Sequence, residues 1–185
     1  WEKTLAVDTV TVGSPTAAEM VKLADNQWID LNVALANEIA LVSDKLYVDA
    51  FEVIRAANSL PKGQHQVNIL APSVGVGGYC LPKDPWFLHR VGIENGLEMK
   101  TPICSRDVND RMPEYAFHHV QECLSHFQVE LPEARIAVLG LAYKNDTGDT
   151  RSTPVEPFLK LLEQSGCSVT VFDPLVSAEN IRRIT

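Results

Sequence analysis

The chain is short of several things, and each shortage excludes something. Basic residues are outnumbered, 16 Lys and Arg against 24 Asp and Glu, for a net charge of −8. That balance argues against nucleic acid and anionic membrane as main partners. No apolar run approaches the roughly 20 residues that span a bilayer. Only four cysteines occur, at 80, 104, 123 and 167, and no two form a Cys-x-x-Cys pair. This usage suits a reducing cytoplasm better than a disulfide framework, so a cytoplasmic location is expected. Cys123 and His126 make a lone Cys-x-x-His beside His118 and His119. Without a second ligand pair, a helix surface accounts for them better than zinc, and no metal is expected. The chain begins at Trp1 with no signal peptide, and no Gly-x-Gly-x-x-Gly fingerprint follows a strand-like run. The expectation is an internal piece of a longer protein, without a complete primary dinucleotide site.

What is present is enough for a core. The 185 residues are 45% hydrophobic, which suits one or two domains. Leu5 to Val12, rich in Val and Thr, reads as a strand or as the tail of a preceding domain over residues 1–14. Ser14-Pro15 is a helix start. From about Thr16 to Val48, apolar residues recur every three to four positions and predict one long helix, continuous or broken. Helices are also expected over 49–57, 85–94 and 102–127, with loops around Pro61 and Gly63 and at Asn95-Gly96. After Pro132 the period changes. Ile136–Leu139 and Val169–Phe172 read as buried parallel strands joined by a helix over 154–165, a βαβ unit that binds ligand at its strands' carboxyl ends. The expected fold is therefore an all-helical domain over 15–130 followed by the start of a Rossmann-like α/β domain over 131–185.

Three stretches could carry chemistry. In Gly75-Val-Gly-Gly-Tyr-Cys-Leu-Pro-Lys-Asp84, glycines lead into Cys80, with Lys83 and Asp84 close behind. Glycine permits close backbone approach, and a positive neighbour favours the reactive thiolate. Taken alone, the pattern also describes a turn before a buried cysteine. Lys22 and Asn26, four apart, share a helix face and could hold a developing oxyanion, although a solvated polar face has the same spacing. Gly140 to Arg151 is a polar loop after the first strand. Its Lys144 and Arg151, like Lys83, also read as ordinary surface charges, and Asp146, Asp149 and Thr150 as turn and cap residues. Cys104, Cys123 and Cys167 read as core or helix fillers.

These stretches resemble the UDP-glucose/GDP-mannose dehydrogenase family. Gly75–Asp84 is similar to its catalytic-cysteine motif, Ala18–Asn26 to its middle-domain helix, and Gly140–Pro154 to its C-terminal nucleotide-binding loop. The three occur in family order with family-like spacing, and the likeness covers residues 15–185. Asp84-Pro-Trp-Phe-Leu88 is similar to members acting on UDP-N-acetylhexosamines.

The resemblance implies an NAD-dependent oxidation of a sugar C6 alcohol to a uronic acid, for surface polysaccharide. The expected substrate is UDP-N-acetylmannosamine, with UDP-glucose as the alternative. Cys80 would form a thiohemiacetal and then a thioester. Lys22 and Asn26 would stabilise oxyanions, and Asp84 would position or activate the hydrolytic water. Lys83 and Arg151 would lie near the NAD phosphates. Lys144 would meet the sugar nucleotide, and the backbone of Ile69, Leu70, Ala71, Pro72 and Ser73, with Gly77, would line sugar and uridine. A homodimer built on the helical domain is also implied. The family's N-terminal Rossmann domain, with most of its NAD site and a catalytic Glu, has no counterpart in these residues. Some relatives donate an Arg from just before the glycine loop, where this chain has Lys62-Gly-Gln-His-Gln66. Two rivals stand beside this reading. A β-hydroxyacid dehydrogenase also pairs Lys with Asn but needs no thiol, so Cys80 discriminates. A non-catalytic binding or dimerisation module is the other.

Overall fold

Helices start on side-chain caps at Ser14 and Asp49, and left-handed residues follow several helix C-termini, at Tyr47, Gly96, Gln128 and Gly166. The computed structural model describes residues 2–60 and 68–184. Helix α1 (Glu2–Leu5) is a single exposed turn. Residues 6–12 run on without a partner strand, which overturns the strand expected over 5–12. Val and Thr favour a pleated surface, but a strand exists only where a ladder accepts it.

Helix α2 (Pro15–Lys45) is one unbroken element of 31 residues, about 47 Å at 1.5 Å per residue. The Ser14 hydroxyl accepts the Ala17 N–H at 3.1 Å, with Pro15 in the first turn. It ends in a Schellman motif: Val48 N–H donates to the Ser43 carbonyl and Tyr47 N–H to that of Asp44, with Tyr47 at φ 56°. Helix α3 (Ala50–Asn58) is capped by the Asp49 carboxylate, which accepts the Phe51 N–H at 2.8 Å. Helices α4 (Asp84–Glu94) and α5 (Thr101–His126) both pack on α2. Pro113 lies inside α5 and has no N–H, so the Asn109 carbonyl one turn back loses its helical donor.

The second part is small. Strand β1 (Arg135–Leu139) pairs in parallel with β2 (Ser168–Phe172), Arg135 opposite Ser168 and Leu139 opposite Phe172. Helix α6 (Val155–Gln164) makes the crossover, and α7 (Ala178–Ile184), not anticipated from sequence, follows β2. Leu141, Leu159 and Val176 form the buried centre, flanked by Val138, Val169 and Val171. The strands were expected to be buried. They instead alternate between exposed and half-buried positions, because two strands with one packed face leave the other open. Cys104 and Cys123 are exposed rather than core, and Cys167 is half-buried.

Candidate active site

The loop before Cys80 is held by asparagine side chains standing in for a neighbouring strand. Asn32 on α2 donates to the Asn68 carbonyl at 3.1 Å and accepts the Leu70 N–H at 2.8 Å. Asn58 on α3 engages both backbone groups of Ile69, at 2.8 and 2.9 Å. Asn37 accepts the Ser73 N–H at 2.7 Å. Ser73 then folds the chain on itself, its hydroxyl donating to the Gly75 carbonyl at 2.7 Å.

Beyond Ser73 the glycines pack against the loop after β1. A Cβ on Gly77 would stand 2.5 Å from Tyr143 Cβ and 2.8 Å from the Ser152 carbonyl. Gly78, at φ 81°, donates its N–H to the Arg151 carbonyl at 2.9 Å. Only glycine fits between these two loops. The Arg151 guanidinium lies 5.0 Å over the Tyr79 ring and is bound by the Asp149 carboxylate through Nε at 2.8 Å. That bond holds Asp149 down to about 2 and raises Arg151 above its ordinary value. The Cys80 carbonyl then accepts the N–H groups of Lys83 and Asp84 at 3.0 and 2.8 Å, which seats the cysteine at the N-terminus of α4.

The result is a cleft of about 630 Å³ between α2, the glycine loop and the Gly140–Arg151 loop. Lys22, Asn26, Ala71, Ser73, Gly77, Cys80, Lys144 and Arg151 all line it. Ile69, Leu70, Pro72, Lys83 and Asp84 lie outside its lining. Asp84 is nevertheless joined to it. Lys22 Nζ donates to Asn26 Oδ1 at 2.9 Å, and Asn26 Nδ2 donates to Asp84 Oδ2 at 2.5 Å. Lys83 sits 3.9 Å from the other carboxylate oxygen and 5.1 Å over the Phe87 ring. Asp84 is 6% exposed, so its two partners offset the cost of burying its charge. The cleft thus offers an exposed thiol, an ammonium and an amide on facing elements, with a carboxylate one residue behind.

Among the described residues, the glycine loop does not offer a dinucleotide cradle. The glycine loop is filled by Tyr143, Ser152 and Pro154, which leaves no open cradle for a pyrophosphate at Gly77. Arg151 and Lys83 are cations at the edge of this region, each already beside a carboxylate. The segment Lys62–Gln66 falls outside the described residues. Cys123 Sγ stands 3.8 Å from His119 Nε2, one helical turn back on α5. Among the described residues, Asp44, His119 and Glu122 bring three metal-ligand atoms within 4.8 Å of one another. Asp44 already accepts from Tyr115, whose phenol is pushed up to about 12 by burial and by that bond, and Glu122 pairs with Lys45.

The residues missed from sequence were the struts: Asn32, Asn37, Asn58, Asp30, Arg106 and Asn109. Their signal was present as polar residues on otherwise apolar helix faces, but their partners are 11 to 79 positions away.

Comparison with known proteins agrees with this geometry. Residues 16–111 match the central domain of the UDP-glucose/GDP-mannose dehydrogenase family, and residues 137–185 match that family's UDP binding domain. A UDP-N-acetyl-D-mannosamine dehydrogenase of Pyrococcus horikoshii is 43% identical over 162 residues, 87% of this chain and 37% of the relative. The solved structure of a UDP-D-ManNAc dehydrogenase from the same organism superposes with a TM-score of 0.79 at 41% identity, covering 88% of this chain and 37% of that one. A UDP-glucose dehydrogenase from Pyrobaculum islandicum gives 0.83 at 35%, covering 98% and 40%. The chain therefore spans well under half the length of the relatives it matches. With both family models covering the elements that build the cleft, the chain belongs to the UDP-glucose/GDP-mannose dehydrogenase family.

Proposed function

We propose that the whole protein is a UDP-N-acetylhexosamine 6-dehydrogenase that takes a C6 alcohol to a uronic acid for surface polysaccharide. The observation that carries this is the convergence of Lys22, Asn26 and Cys80 on one cleft, with Asp84 hydrogen-bonded to Asn26. A dehydrogenase making a single two-electron oxidation has no use for the thiol. A dehydrogenase making a four-electron oxidation through an acyl intermediate does. NAD, held mainly by residues outside those described, would supply the hydride acceptor, two molecules per sugar.

The chain's own residues divide the remaining work. After loss of the C6 hydride to NAD and of the hydroxyl proton to solvent, the Cys80 thiolate adds to the resulting aldehyde, and the new oxyanion falls between the Lys22 ammonium and the Asn26 amide. Loss of a hydride from that adduct leaves a thioester. Water attacks it, the C–S bond breaks, and the thiolate and carboxylate are released with two protons. Asp84, held by Asn26, orients the water or accepts its proton. Lys144 meets the sugar nucleotide, and Ala71, Ser73 and Gly77 form the wall against it. Lys83 and Arg151 are assigned to the edge facing the dinucleotide phosphates. Residues 15–130 act as the dimerising domain and 131–185 as the start of the UDP-sugar domain, with 1–14 the tail of a preceding one. The place of work is the cytoplasm.

UDP-N-acetylmannosamine is the first substrate, by likeness to the Pyrococcus horikoshii relative. The close superposition on a UDP-glucose dehydrogenase makes UDP-glucose the second. The test is Cys80→Ser in the full-length protein, assayed for NADH and uronate with both. Wild type should form two NADH per sugar. The variant should form no uronate at a measurable steady rate. Wild-type-like uronate formation by the variant excludes Cys80 as nucleophile.

A further inference from the structure

The cysteine loop is pinned at three points, and one pin traces back into the protein interior. Gly78 is tied to the Arg151 carbonyl, and Cys80 to the start of α4. Ser73 is tied to Asn37, on the same helix that carries Lys22 and Asn26. Asn37 is fully buried, and both ends of its amide are bonded. Its Oδ1 takes the Ser73 N–H, and its Nδ2 donates to Asn109 Oδ1 at 3.0 Å. Asn109, on α5, is fixed in turn by donating to the Asp30 backbone carbonyl and carboxylate, both at 2.9 Å. Arg106 holds that carboxylate at 2.6 Å, and the pair is 0–2% exposed.

The same residue touches the loop a second way. Pro113 leaves the Asn109 carbonyl without its helical donor, and Gly75 lies against it: a Cβ there would stand 3.1 Å away. Helix-to-helix adhesion alone would not need Asn37 to spend its acceptor on a loop. Burying four polar side chains between two helices is costly unless they are paired; these four bond one another, with only Asp30 Oδ2 and Arg106 Nε left without a partner, so the geometry they impose is stiff.

We infer that Asn37 and Asn109 are positioning residues that, through Ser73 and Gly75, set the nucleophile loop in register with Lys22 and Asn26. This rests on the dehydrogenase reading above. Neither residue meets substrate. Their effect is on where Cys80 stands relative to the two groups that receive the oxyanion. A displacement of about 1 Å at such a site costs turnover on the order of 100-fold.

The test uses the full-length protein with Asn37→Ala, Asn109→Ala and the double variant. Each single variant should lose at least tenfold in kcat, with KM for the UDP-sugar within about threefold. The double should be no more than twofold worse than the poorer single, because both cut one chain. A second readout needs no substrate. Iodoacetamide labelling followed by peptide mass spectrometry should show the Cys80 rate changed at least threefold, while exposed Cys123 labels as in wild type. If Asn37→Ala is recovered unfolded, Asn109→Ser carries the same comparison. Unchanged Cys80 labelling and kcat in a folded Asn37→Ala overturns the inference. So do losses that simply add in the double variant. Should the wild type oxidise no UDP-sugar, the dehydrogenase reading fails, and labelling alone decides the positioning role.

Discussion

Asn26 on α2 donates to the Asp84 carboxylate in the first turn of α4 at 2.5 Å, across 58 positions of chain. The same amide accepts from Lys22 through its oxygen. One buried side chain therefore sets both a cation and a carboxylate at the edge of the cysteine cleft. Asn26→Ala strands a buried carboxylate and should cost about 1–3 kcal/mol of stability. On the proposed mechanism it also removes a donor to the oxyanion, and turnover of the full-length protein should fall about 100-fold to 1000-fold. Urea unfolding and steady-state NADH formation measure the two effects. Turnover within threefold of wild type would remove Asn26 from the proposed mechanism.

Gly77 is the tightest point between the cysteine loop and the UDP-binding part. A methyl group there meets Tyr143 Cβ, the Ser152 carbonyl and Pro154 Cδ at 2.5, 2.8 and 2.9 Å. Two of these belong to backbone or ring and have little room to retreat. Gly77→Ala should cost about 1–3 kcal/mol by overpacking and should weaken UDP-sugar binding, because the cleft wall shifts. Gly13, with nothing within 4 Å of its added Cβ, is the control and should change neither. A melting curve and a titration of each variant suffice. An unaltered Gly77→Ala would mean the two loops are not packed as described.

Asp173 gives the fold a predictable acid limit. Its Oδ2 accepts the N–H groups of Leu141 and Ala142 at 2.8 and 3.0 Å, and Oδ1 accepts that of Leu175 at 2.9 Å. These bonds to backbone donors, foremost that of Leu141, hold its carboxyl below the ordinary 3.8. Between the lowered native value and 3.8 the unfolded chain binds the extra proton. The stabilisation is therefore complete above that window and is lost as pH falls through it. Asp173→Asn should lower Tm at pH 7 by about 4–8 °C, for roughly 2 kcal/mol, and flatten the fall in Tm as pH drops below 3.8. Asp149 titrates in the same range through Arg151, so the readout is the difference between variant and wild-type slopes. Parallel slopes would count against the role given to Asp173.

Much of the site was legible because its chemistry is local. Lys22 and Asn26 lie one helical turn apart, and Cys80, Lys83 and Asp84 fall within five residues, so spacing forms two local groups; the family resemblance joined the two and gave them roles. The start of α2 was written in Ser14-Pro15, but its end was not: Tyr47 takes the left-handed conformation usually left to glycine, and nothing in its type announces it. The strand expected over 5–12 failed because pairing depends on a partner rather than on composition. The supports were illegible for the same reason. Asn37 to Asn109 spans 72 positions and Asp30 to Arg106 spans 76, and an asparagine or aspartate on a helix reads as solvent-facing until its partner is in view. Cys104 looked like core packing, yet it borders an apolar groove that the described chain leaves open.

That groove bears on assembly. Trp28, Leu31 and Leu35 of α2 line it with Cys104 and Val108 of α5, around a volume of about 400 Å³. Trp28 and Leu35 are 44% and 46% exposed, and Val42 further along α2 is 59% exposed. An exposed apolar groove of this kind on a surface helix fits a protein–protein contact. A homodimer is the proposed cover. Light scattering on the full-length protein at micromolar concentration should give twice the chain mass, and Leu35→Glu should shift it to the monomer. A wild-type monomer under those conditions would remove the dimer from the proposal.

The final prediction separates binding from chemistry in residues 1–185 themselves. Hydride transfer needs a dinucleotide held against the sugar's C6, and holding it takes a glycine fingerprint at a strand–helix turn. These residues contain no such fingerprint, and their one glycine-rich loop is packed against Tyr143 and Pro154. The sugar nucleotide's expected contacts are better represented, since Lys22, Asn26, Ser73, Gly77 and Lys144 line one cleft. The 185 residues alone should therefore form no NADH from UDP-N-acetylmannosamine, UDP-N-acetylglucosamine or UDP-glucose. They should still bind a UDP-sugar weakly by calorimetric titration. Lys144→Ala should weaken that binding about tenfold, the equivalent of about 1.4 kcal/mol for one charged contact to the nucleotide. Asp146, two residues on at φ 57°, keeps the turn that presents Lys144, so the variant should melt as wild type does. Steady NADH production by the purified 185 residues would show that the dinucleotide site lies within them. Undiminished binding by Lys144→Ala would move the nucleotide away from the loop after β1.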